Sequence, residues 1–121
     1  MTNTRWRVVF YEKEDGRCPV GEFLDGLGLK ERAKVLAAID LLEEEGSGLR
    51  RPYTDFLKDG IYELRVRVSR VRYRVLYFFS SRTDIVLTHS FRKKSKSVPK
   101  NEIARAARYR KDWMRRYHAN A

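Results

Sequence analysis

Ile61-Tyr-Glu-Leu-Arg-Val-Arg-Val-Ser-Arg-Val-Arg-Tyr-Arg-Val-Leu-Tyr-Phe-Phe79 reads as two strands joined by a turn. Side chains alternate faces along a strand, so Leu64, Val66 and Val68 share one face and Arg65 and Arg67 the other. The second half repeats the alternation, with Val71, Tyr73, Val75 and Tyr77 opposed to Arg72 and Arg74. A tight connection at Ser69-Arg70 would pair Val68 with Val71, Val66 with Tyr73 and Leu64 with Val75. The apolar faces then coincide, and the same register sets Arg67 beside Arg72 and Arg65 beside Arg74. Like charges directly opposite one another destabilise a sheet. The pattern therefore anticipates a polyanion on that face, or else carboxylates that pair with the arginines or plain solvation.

Composition bears on the polyanion. The chain has 121 residues, a formal net charge of +11 and 42% hydrophobic residues. That is enough for one domain with a modest core, spanning residues 1–121, and too apolar for a basic disordered tail. The charge is unevenly spread: Glu12 to Glu45 holds ten acids and five bases, whereas Arg92 to Arg116 holds eleven bases and two acids. Such asymmetry points to a basic face that meets nucleic acid. A membrane partner is not expected, because no segment approaches the ~20 apolar residues that span a bilayer.

The single cysteine, Cys18, excludes an internal disulfide and a cysteine metal cluster. With only His89 and His118 besides, no metal site and no cofactor is expected. Met1-Thr-Asn-Thr-Arg-Trp6 lacks the apolar stretch of a signal peptide, so a reducing cytoplasm is the expected compartment.

The remaining elements follow from periodicity and punctuation. Trp6 to Tyr11 is a first strand. Pro19 opens a short helix over Val20 to Leu24. A second helix runs from about Leu29 to Glu45, with Val35, Leu36, Ile39 and Leu42 at helical spacing, and Gly46 stops it. Arg50 to Asp55 reads as a loop and Asp59-Gly60 as a tight turn. Asp84 to Phe91 is a strand, Arg92 to Ser97 a basic loop, and Pro99-Lys-Asn-Glu-Ile103 starts the last helix. The order is β-α-α-β-β-β-α, an α+β domain with helices on an antiparallel-rich sheet.

Three segments in this order carry a resemblance: Asp59-Gly-Ile-Tyr-Glu-Leu-Arg65, Tyr73-Arg-Val-Leu-Tyr-Phe-Phe79 and Ile85-Val-Leu-Thr-His-Ser-Phe-Arg-Lys-Lys94. Together they resemble the RelE/HigB toxin superfamily of type II toxin–antitoxin systems, and most closely its phage-derived, HigB-like branch. The likeness runs from about Trp6 to about Tyr109. It implies a RelE-like fold, an endoribonuclease that cuts mRNA within the ribosome, and inhibition by a small antitoxin, commonly a helix-turn-helix protein.

RNA can be cleaved without metal when its own 2′-hydroxyl attacks the adjacent phosphate. The enzyme must align that attack, neutralise charge on the phosphorane and move two protons. Arginine forks suit phosphate oxygens, so Arg65 and Arg74 are the expected grip on the scissile group. Lys93 and Lys94 follow the strand end where the resemblance implies basic active-site residues. A lysine among arginines has its pKa pushed down and can transfer protons, or both lysines can simply hold phosphates. Lys58, Arg67, Arg72 and Lys96 are expected to position the RNA backbone. His89 is a possible proton-transfer group. A four-residue connection over Ser80 to Thr83 sets it opposite Arg74, and one residue more or fewer moves it to the apolar face. Relatives in the RelE superfamily rely on a tyrosine near the C-terminus, whereas Tyr109 reads here as packing, as do most of the other aromatics.

Three functions stay open on these grounds. One is a ribosome-associated endoribonuclease toxin. Another is a non-catalytic nucleic-acid or ribosome-binding module, which charge alone would satisfy. The third is a protein whose basic groove mainly docks an acidic antitoxin segment.

Overall fold

The computed structural model describes residues 6–81 and 83–117. The hairpin forms in the expected register: β3 (Ile61–Val68) pairs antiparallel with β4 (Val71–Ser80), with Arg65 opposite Arg74 and Arg67 opposite Arg72. Ser69 takes φ 56° to turn the chain. β4 pairs antiparallel with β5 (Asp84–Arg92), and β5 pairs parallel with β1 (Arg7–Phe10). The parallel pair is allowed by the crossover through α1 (Pro19–Asp25) and α2 (Leu29–Glu45).

A fifth strand corrects the expected element order. Thr54–Lys58, β2, adds to the outer side of β3, so the sheet runs β1-β5-β4-β3-β2 and the order becomes β-α-α-β-β-β-β-α. The turn that joins β2 to β3 is Asp59-Gly60, with φ 53° and 78°. Two left-handed residues match the twist of the flanking strands, which is why Asp-Gly serves here. A second correction concerns Arg92, which ends β5 and does not begin a loop.

The sheet is covered on both faces. On one, Leu64, Val66, Val68, Tyr73, Val75, Tyr77, Ile85 and Leu87 pack with Val20 and Leu24 of α1 and Val35, Ile39 and Leu42 of α2. Leu36, expected in that core, is instead on the solvent side of α2. On the other face α3 (Lys100–Tyr117) lays Ala106 and Trp113 over Ile61, Leu76, Phe78 and Val86. The arginine side of the hairpin belongs to this second face. α3 covers the half of it that carries Ile61, Leu76 and Phe78.

Polar contacts hold α3 besides its packing. Trp113 Nε1 donates to Ser80 Oγ (3.2 Å), the Tyr11 hydroxyl to Asp112 (2.6 Å), and His89 Nε2 lies 3.0 Å from Glu102. Tyr109 stacks on Tyr11 with ring centroids 4.6 Å apart, which fits its reading as packing.

Candidate functional site

Beyond the end of α3's cover, the edges of three strands bring their cations together. Register alone places Arg67 and Arg72 in one row and Arg65, Arg74 and Phe91 in the next. Arg92 and Lys93 follow at the end of β5, where the Lys93 amide donates to the Arg72 carbonyl (2.8 Å). A cleft of about 450 Å³ opens there, lined by Arg70, Val71, Arg72, Arg92, Lys93 and Lys94.

One carboxylate sits behind this cluster. Glu63 is 4% exposed and lies on the same face as Arg65, two residues along β3. Arg74 Nε donates to its Oε1 at 2.7 Å, and Arg65 Nε and Nη2 donate to its Oε2 at 3.2 and 3.1 Å. Arg65 also reaches Asp55 at 3.3 Å. The arginine face therefore contains a carboxylate and still carries excess positive charge: Glu63 engages two guanidiniums, while Arg67 and Arg72 are exposed. Alternation along Tyr62-Glu63-Leu64-Arg65 was the signal for Glu63, since residues two apart on a strand share a face.

Burial separates the expected pair. Arg74 is 6% exposed, with Nη1 donating to the Tyr73 carbonyl, and stands as the inner support of the site. Arg65 keeps a third of its side chain open to solvent. Lys93 is the most perturbed lysine. Burial first, then the positive charges of Arg74, Arg72 and Arg65, hold its ammonium below the usual lysine range, with Glu63 opposing them. Its Nζ donates to the Lys96 carbonyl at 2.8 Å, which folds the 93–96 turn over the strand end. The Lys94 and Lys96 side chains are exposed.

Two expected residues lie elsewhere. Lys58 borders a separate groove of about 540 Å³ with Leu57, Val98 and Ile103, at the opposite end of β3 from the arginines. His89 does share the arginine-bearing face, but by another route than loop length alone. Ser80 pairs with Asp84, and a bulge at Thr88 then shifts the register so that His89 faces Leu76. The ring is 1% exposed beneath α3, between Phe91 and Tyr109. Burial pushes its pKa down to about 4 against the opposing pull of Glu102. A neutral ring donates from Nε2 to Glu102, and its Nδ1 lies 3.1 Å from the Thr88 hydroxyl, which also reaches the Leu76 carbonyl at 3.2 Å. It braces α3 against β5 and does not face the cleft. Arg70 and Arg92 are the cleft residues that sequence reasoning passed over.

Among the described residues no group of three or more His, Cys, Asp or Glu side chains gathers as for a metal ion. No described helix is long and apolar enough to cross a membrane.

The sequence model of the family described as Phage derived protein Gp49-like (DUF891) matches residues 22–111. The chain belongs to that family. Gp49-like proteins are a RelE/HigB-like toxin family, and the matched span contains every residue of the arginine–lysine cleft. A search of curated proteins gives no significant match.

Proposed function

We propose that this Gp49-like protein is the toxin of a type II toxin–antitoxin pair, of the HigB-like branch, and that it works in the cytoplasm as an endoribonuclease on mRNA in the ribosome. The observation that carries this reading is the convergence of Arg70, Arg72, Arg92, Lys93 and Lys94 at one open strand end, with Arg65 near enough to act on the Lys93 ammonium. Such a cluster attracts a phosphodiester and repels a divalent cation, which favours cleavage by the RNA's own 2′-hydroxyl. That oxygen attacks the adjacent phosphorus and the 5′-oxygen leaves, giving a 2′,3′-cyclic phosphate and a 5′-hydroxyl. Lys93, acidified by its surroundings, takes the 2′-hydroxyl proton, and the Lys94 ammonium supplies the proton that the 5′-oxygen needs. Arg65 and Arg72 meet the phosphate from the arginine-bearing face and Arg92, opposite Tyr73, closes the cleft from the other side of the strand end, while Arg74 and Glu63 hold Arg65 in place. Arg67 and Lys96 extend the track for the RNA backbone, and Lys58 would meet it only farther along. The partner that silences this cleft is a small antitoxin, of helix-turn-helix type on the family likeness.

Primer extension on mRNA in a purified translation system tests the proposal. Wild-type protein should cut at translated positions. Arg65→Ala should slow cutting about a hundredfold, the ~3 kcal/mol usual for one donor aimed at transition-state charge. Ribosome binding without any cut would sink the enzyme and leave a binding module. Unchanged cutting by both Arg65→Ala and Lys93→Ala would move the catalytic centre away from this cleft.

A further inference from the structure

α2 is apolar on two sides. Val35, Ile39 and Leu42 are buried against the sheet. Leu29, Ala33, Leu36 and Ala37 face solvent, with Leu29 82% and Leu36 39% exposed. These four recur at i, i+4, i+7 and i+8, the spacing of a stripe that packs on another helix. Two of them are alanines, which let a second helix come close.

The charges around this stripe run against the helix's own dipole. A helix favours acids in its first turn and bases in its last. α2 has one acid in its first turn, Glu31, but carries Lys30, Arg32 and Lys34 around it in the first half, then Asp40, Glu43, Glu44 and Glu45, with no base in its last turn. Two of these are used within the chain: Arg32 donates to the carbonyls of Leu24, Asp25 and Leu27, and Glu43 accepts the Val8 amide. Lys30, Lys34, Asp40 and Glu44 are exposed, and among the described residues nothing pairs with them.

That order is self-complementary under a two-fold axis. An antiparallel second α2 sets Lys30 and Lys34 of each copy near Glu44 and Asp40 of the other, brings Ala37 of each copy to the centre and opposes the two dipoles. Parallel pairing would set like charge on like. We propose that the outer face of α2 is an interface on which a second copy of this chain docks antiparallel. A 17-residue helix is only about 25 Å long, so the contact is smaller than that of a tight dimer and fills at micromolar concentrations or above. It lies on the layer opposite the arginine cleft and leaves both clefts open. The inference does not depend on the proposed chemistry.

Charge reversal tests it by sedimentation velocity on the full chain. The wild type should rise from 14.4 kDa towards twice that mass as concentration increases. A Lys30→Glu/Lys34→Glu protein and an Asp40→Lys/Glu44→Lys protein should each bind itself about tenfold more weakly or worse. Mixed together they should associate again, because every contact in the heterodimer is then oppositely charged. All four side chains are exposed, so both proteins should keep the wild-type circular dichroism. A wild type that stays monomeric to near-millimolar concentration overturns the proposal and assigns the stripe to a different protein. A dimer indifferent to both reversals, or a mixture that fails to associate, overturns it as well.

Discussion

At the scale of single residues the cleft divides labour by depth. Glu63 and Arg74 are buried and pair with each other, so Arg74→Ala would leave a buried carboxylate without the donor that Arg74 places on its Oε1. Such a loss costs about 3–5 kcal/mol, so Arg74→Ala should damage the fold as well as the site. Arg65 is one-third exposed but also gives Glu63 two hydrogen bonds, so the phosphate-binding effect of Arg65→Ala is read beside its melting temperature. Lys93 is the clean probe of proton transfer. Its ammonium is held below the usual lysine value of 10.5 by burial and by Arg74, Arg72 and Arg65. Acting as a base it must be neutral, so the cleavage rate should climb with pH and level off below 10.5. Lys93→Arg keeps the charge but holds its proton at any working pH. It should bind RNA as the wild type does, cut about 10²–10⁴-fold more slowly and lose that limb of the pH profile. Single-turnover rates across pH measure both. A wild-type pH profile in Lys93→Arg would remove Lys93 from the proton path.

At the scale of elements, α3 depends on contacts that titrate. His89, which braces α3 against β5, has a folded pKa of about 4 against an ordinary 6.5. Between those values the unfolded chain binds the extra proton, so stability is full above 6.5 and is lost as pH falls towards 4. The loss amounts to roughly 3 kcal/mol, or about 10 °C in melting temperature on going from neutral pH to about pH 4.5. Asp112, held down first by the Tyr11 hydroxyl, and Asp55, held down by Arg51, add their losses only below 3.8. His89→Gln should therefore flatten the melting curve between neutral pH and 4.5 while leaving the steeper fall beneath it. An unchanged slope would mean that the ring is already charged in the folded state. This element also shows what sequence can and cannot carry. The β3–β4 register was legible because two alternating patterns and one two-residue connection admit a single alignment. The Thr88 bulge was not, since an inserted residue leaves no mark in a run such as Ile85-Val-Leu-Thr-His89. β2 escaped for a related reason: Thr54-Asp-Phe-Leu-Lys58 is a short edge strand with charged residues, a composition that protects edges and resembles a loop. Glu63 was visible by alternation, yet its ion pairs depend on rotamers that a strand pattern does not fix.

At the scale of the whole molecule the net charge of +11 is an average over two unlike layers. α2 ends in four acids within six residues on one side of the sheet, while the cleft and α3 present bases on the other. If the proposed substrate is right, this polarity orients a nucleic acid towards the cleft before any specific contact forms. Its consequence is measurable as salt dependence. A single-stranded RNA that binds across the cleft releases counterions in proportion to the phosphates neutralised, about 0.7 per contact in the slope of log affinity against log salt. Arg72→Ala, Arg92→Ala and Lys96→Ala should each shallow that slope by about this amount and weaken binding evenly across sequences. Lys30→Ala and Lys34→Ala remove the same charge from the far layer. Measured at RNA-binding concentrations well below those that fill the α2 face, they should leave the slope as it is. Fluorescence anisotropy over a salt series separates the cases, preferably with an oligonucleotide lacking the scissile 2′-hydroxyl so that cleavage does not intrude. Equal changes from both layers would mean that RNA answers to net charge alone, and that the clustered arginines hold no defined phosphate track.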